Sequence, residues 1–147
     1  MSAQVPEERE PLDDPLYGCL TWIDLAPGGL WEGELDTPDG RSVRLSISAE
    51  AIEKARPLFT KITADLEGLH ERLADEHLAG LNKRWWAHSP MTREQFLARI
   101  RLCSIDIDSD GSVYVEFDDS SEEDILSGHG IGFIFHPDGT SKASLNG

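Results

Sequence analysis

The spacing of apolar residues changes period twice along this chain, and that change constrains the fold more than any single motif does. Val43, Leu45 and Ile47 alternate with polar neighbours, the period of a strand with one buried face. Leu58, Ile62, Leu66, Leu69 and Leu73 then recur at three- and four-residue steps, which places them on one face of a helix. Beyond Cys103 the period returns to two, with Val113, Val115 and Phe117. Strands, then helices, then strands predict an α+β fold. In this reading an N-terminal three-strand meander and C-terminal hairpins form a mainly antiparallel sheet, with two to three central helices packed on one face.

Local signals refine that outline. The first strand starts near Cys19, carries Leu20 and Trp22, and ends at Pro27-Gly28-Gly29; a second runs from Leu30 to Leu35. Asp36-Thr37-Pro38-Asp39-Gly40 supplies a turn before the third. Ser48 is placed to cap a helix over Ala49 to Arg56, which Pro57 either kinks or separates from the next. The residues from Leu58 to Leu73 belong to the longest helix, and Thr92-Arg93-Glu94-Gln95 has the spacing of a capping box. Ser109-Asp110-Gly111 and Pro137-Asp138-Gly139 close two hairpins, Ser104 to Ile107 with Ser112 to Phe117 and Gly130 to Phe135 with Thr140 to Leu145. Residues 1–15 hold three prolines, five acids and few apolar side chains, the composition of a flexible acidic tail; residues 16–147 form a single domain.

Charge narrows the partners. Thirteen Lys and Arg against 28 Asp and Glu give −15, a field that repels nucleic acid and anionic membrane. From Ser104 onward there are ten acids and only Lys142, so the last third is the acidic end. Between Lys83 and Arg101 five cations face only Glu94, which forms a local basic patch. Cys19 and Cys103 cannot build a disulfide framework or a zinc knuckle, and no long apolar run or basic-then-apolar leader occurs, so a cytoplasmic protein is expected.

The chemical motifs are incomplete. Asp106, Asp108, Asp110 and Gly111 open like a calcium-binding EF-hand loop, but Phe117 stands where the bidentate Glu belongs, and a hairpin turn is the better account. Gly128, Gly130 and Gly132 precede a strand and not a helix, so they read as a bend that lets two backbones approach. Glu67 and His70 make one E-x-x-H without its second copy, and His70 and His77 read as edge residues beside the apolar stripe. Lys83-Arg84-Trp85-Trp86 combines cations with aromatics, and a tryptophan closing the end of the core fits a −15 chain better than a nucleic-acid groove does.

The order of a set of spaced residues resembles a family of uncharacterised bacterial domains of unknown function that end in a strand, a Gly-His bend and a closing hairpin. The residues are Tyr17-Gly18, Trp31, Asn82 with Trp85, Thr92 with Phe96, Ser104-Ile105, Asp110-Gly111, Phe117-Asp118-Asp119, Gly128-His129 and Gly147. The acidic segment Ser120 to Leu126 is longer than the family pattern. The resemblance implies one intracellular bacterial domain and no activity.

The functional expectation is a non-enzymatic, acidic protein-binding module, of immunity type, that meets a basic protein through Asp118, Asp119, Glu122, Glu123, Asp124 and His129. The alternative is a metal-dependent enzyme or sensor centred on His129 and the nearby carboxylates. A third form is a homo-oligomer built on an exposed edge strand. No catalytic, cofactor-binding or metal-binding residue is assigned, and no cofactor is expected.

Overall fold

Strands form where apolar residues alternate with polar ones, and most of the eight strands among the described residues follow that pattern. The computed structural model describes residues 9–24, 28–37, 40–119, 126 and 130–146. Its strands are β1 (Leu12–Asp14), β2 (Gly18–Ile23), β3 (Leu30–Asp36), β4 (Ser42–Ser48), β5 (Ile100–Ile107), β6 (Val113–Asp119), β7 (Gly130–Phe135) and β8 (Ser141–Asn146). They lie side by side in chain order in one sheet. Every neighbouring pair is antiparallel except β4 with β5.

That parallel pair organises the molecule, because parallel neighbours cannot be joined by a tight turn. The connection carries the helices α1 (Arg56–Thr63), α2 (Leu66–Arg84) and α3 (Arg93–Arg99). Their inward residues Phe59, Ile62, Leu69, Leu73 and Phe96 share one core with Leu45, Ile47, Ile105, Val115 and Phe133 of the sheet. Each of these large side chains contributes on the order of 1.5–3 kcal/mol by leaving water. The fold is α+β, with a mostly antiparallel sheet, as the changes of period predict.

Two helix boundaries differ from the expectation. The stripe from Leu58 to Leu73 does not lie on one helix; it is divided between α1 and α2 by Ala64 and Asp65. Asp65 leaves helical geometry at φ −146° and its Oδ1 accepts the Gly68 amide at 2.9 Å, so the side chain caps α2 where a helical continuation would have needed no cap. Ser48 caps no helix through its side chain: Ala49–Ala51 is a short 3-10 turn, and α1 starts at Arg56 with Pro57 in its first turn, where a missing amide proton is tolerated. The capping box at Thr92 forms as expected, with Thr92 Oγ1 accepting from Gln95 N and Gln95 Oε1 accepting from Thr92 N.

Part of the acidic N-terminal stretch read as tail is also structured. Asp14 is buried; its Oδ1 accepts the amides of Leu16 and Tyr17, and Arg56 grips both carboxylate oxygens at 3.0 and 2.7 Å. Tyr17 packs on Phe59 and donates its hydroxyl to the Ile52 carbonyl at 2.8 Å. Few apolar residues mark this segment, and what orders it is a guanidinium 42 residues further along.

Candidate functional site

With the helices on one face, the other face of the sheet is built from the alternate residues of each strand. A β-bulge decides which residues of β5 these are. The β5–β6 register shifts between Leu102 and Ser104, which turns Ile105 and Ile107 to the core and brings Ser104 and Asp106 to the open side. One lateral row across that side then reads Glu32, Ser46, Asp106, Tyr114, Ile134 and Lys142. The adjacent row reads Glu34, Arg44, Ser104, Glu116, Gly132 and Ser144.

These rows enclose a groove of about 470 Å³. Ser46 Oγ donates to Asp106 Oδ1 at 2.5 Å, and Arg44 Nη2 stands 4.0 Å from the same oxygen. Ser104 Oγ donates to Glu116 Oε2 at 3.4 Å. The Glu116 side chain lies where a β-carbon on residue 130 would stand, and a β-carbon on residue 132 would meet the Val115 carbonyl oxygen. Glycine at both positions therefore lets the carboxylate lie flat and the two backbones approach, as the glycine spacing suggests. Asp108 and Glu116 add to the acidity of the lining, and Tyr114 is 38% exposed beside them.

Two groupings nearby bear on nucleophilic chemistry. Burial pushes the Cys103 thiol up to about 11, with the Asp118 and Glu116 carboxylates acting in the same direction, so it is a poor nucleophile near neutral pH. Ser112, Asp110 and His136 do meet, at the β5–β6 and β7–β8 turns. Ser112 is buried, and its hydroxyl proton goes to Asp110 Oδ2 at 3.1 Å, leaving the imidazole Nδ1 at 3.3 Å as the donor to the oxygen. The Ser112 amide and hydroxyl hold the Asp110 carboxyl below its ordinary value. A hydroxyl directed at a carboxylate is not activated by a base, so this grouping braces the turns. Among the described residues no three His, Cys, Asp or Glu side chains are gathered to hold a metal ion.

Of the residues expected to bind a partner, two lie among the described residues. Asp119 is turned inward, its side chain wholly buried and paired with Arg99 at 3.1 Å, so its charge is not offered to a partner. Asp118, next to last in β6, is half-buried opposite Arg101. Glu122, Glu123, Asp124 and His129 lie outside the described residues. The Asp106 to Gly111 segment is a hairpin turn with Gly111 at φ 89°, and of its acids Asp106 and Asp108 line the groove. His70 and His77 do more than edge the stripe: their Nε2 atoms bond the carbonyls of Ile100 and Gly132 at 2.5 and 3.2 Å, tying α2 to β5 and β7. Trp86 packs against the core, as one of the two tryptophans was expected to do.

Residues 29–141 match the profile of a family described as an uncharacterized protein conserved in bacteria (DUF2262). The chain belongs to this family. Comparison with curated proteins and with solved structures finds no match. Several positions that carry the resemblance in the sequence have structural roles. Asn82 accepts the Met91 amide at 2.7 Å and donates to its carbonyl at 2.9 Å, Thr92 caps α3, Trp31 and Phe96 fill the core, and Ser104 reaches Glu116 in the groove. The family match starts at β3 and covers the strands that build the open face through the first residue of β8.

Proposed function

We propose that the chain is a non-enzymatic, acidic protein-binding module that engages a basic partner protein through the open face of its sheet. The observation that carries this reading is the composition of the two open rows and the groove between them. Glu32, Glu34, Asp106, Asp108 and Glu116 are set against Arg44 and Lys142, and Arg44 is itself drawn toward Asp106. A concave acidic surface with an exposed tyrosine suits a protruding Arg or Lys, which gains a carboxylate pair and an aromatic face together. The surface sits on strands, whose positions the core fixes, so it is preorganised. An immunity-type role, in which the module covers a basic toxin, is the form that small size and charge suit best. The cytoplasm is the compartment this reading assumes, and two free cysteines suit it. No helix among the described residues is long and apolar enough to cross a membrane.

Charge reversal separates this surface from the acidic loop. A basic protein captured by the chain is purified and its affinity measured by calorimetry. Asp106→Lys with Glu32→Lys is expected to weaken binding by about tenfold or more, while Glu122→Lys with Glu123→Lys changes it by about twofold or less. The reverse order would move recognition to the loop.

A further inference from the structure

A second cavity, of about 690 Å³, lies at one end of the sheet, away from the acidic groove. It opens where three elements fail to close on one another. The helical layer is interrupted at Ala64 and Asp65, and β4 and β5 pair only from Arg44 and Ser104 onward, which leaves a gap between Arg41 and Arg101. Leu35, Leu66, Leu102 and Phe117 supply an apolar floor, of which all but Phe117 are only half-buried. Apolar surface left in contact with water in a concavity of this size is the usual character of a small-molecule site.

The cations decide the class of ligand. Arg44, Arg56, Arg72, Arg93 and Arg99 all stand within ion-pair distance of carboxylates. Arg101 lines the cavity and makes no ion pair or side-chain hydrogen bond among the described residues; Arg41 also lines it and has an interaction of its own. The acids nearby limit the ligand's charge, beginning with Asp118, which stands opposite Arg101 across the β5–β6 ladder. Asp65 is engaged at the α2 N-terminus, while Asp36 and Glu67 are exposed at the rim and would oppose a highly charged anion.

We infer that this cavity binds a small monoanionic amphiphile, an aliphatic or aromatic carboxylate or sulfonate, with its apolar body over Leu66, Leu102 and Phe117 and its charge toward Arg101 and Arg41. Polyphosphates are excluded by charge, and neutral apolar molecules lack the anchor.

The test is fluorescence titration of the full chain with anilinonaphthalene sulfonate, followed by competition with decanoate. Saturable binding to one site, displaced by decanoate and weakened about tenfold by Arg101→Gln, is the expected result. Arg101→Lys should recover part of the loss, and Lys83→Gln, at the far end of α2, should leave binding unchanged. Where Arg101→Gln lowers the melting temperature, Arg41→Gln is the second variant. Absence of saturable binding, affinity undiminished in both arginine variants, or equal affinity for the uncharged phenylnaphthylamine would overturn the assignment.

Discussion

Asp14 anchors the first strand to the helical layer with four hydrogen bonds, two from backbone amides and two from Arg56. Removing one partner of a buried pair leaves the other without its counter-charge, so Asp14→Asn should cost about 3 kcal/mol in urea denaturation, the lower end because Arg56 keeps Glu53. The hydrogen bonds from Arg56 outweigh desolvation and hold the Asp14 carboxyl well below its ordinary value of 3.8. A depressed folded pKa means that the stabilisation is complete above about pH 4 and is lost as the pH falls further. The acid limb of the stability profile should therefore flatten in Asp14→Asn; an unchanged limb would show that Asp14 contributes nothing there. The two thiols provide a second check at this scale. Cys19 is exposed and Cys103 has its thiol pushed up to about 11, so a disulfide reagent at about pH 8 should label one thiol quickly and one slowly. Cys103→Ser should retain the fast phase alone.

Most strands were legible in the sequence because alternation and Asp-Gly turns are local signals, and β3, β4, β6, β7 and β8 lie within a residue or two of where those signals put them, while β1 was read as tail and β5 starts four residues earlier than read. The division between α1 and α2 was not, since Leu58, Ile62 and Leu66 keep helical spacing straight across it, and only the Asp65 side chain marks the boundary. Asp65→Ala should destabilise the protein by about 1 kcal/mol, measured by thermal melting. The bulge at Cys103 was equally hidden. It reverses which residues of β5 face the core, and without that reversal Asp106 reads as a turn acid of an EF-hand-like run and not as a groove residue. The parallel pairing of β4 with β5 joins segments about sixty residues apart, which no turn signal encodes. Gly132 was read as a close backbone approach, and the neighbouring carbonyl bears that out: Gly132→Ala should cost about 1–3 kcal/mol in chemical denaturation, because backbone cannot yield as a flexible side chain does.

Over the whole molecule the −15 charge is arranged unevenly, and the structure changes which charges face outward. The acids from Asp118 to Asp124 read as the recognition surface because five of them crowd into seven residues; among the described ones, Asp119 is closed on Arg99. The basic patch read between Lys83 and Arg101 is likewise reduced, since Arg93 pairs with Asp75 and Arg99 with Asp119. Among the described residues the sheet face is open, and its acidity comes from residues spread over β3, β5 and β6 and brought together only by strand register. No linear motif could reveal it. The central claim is that this face receives the partner, and the most direct measurement is backbone amide shift mapping of the isotope-labelled chain during titration with its basic partner. The account predicts that the amides of Ser46, Asp106, Tyr114 and Ser144 move, with α2 and residues 120–129 unaffected; shifts confined to α2 or to residues 120–129 would contradict it.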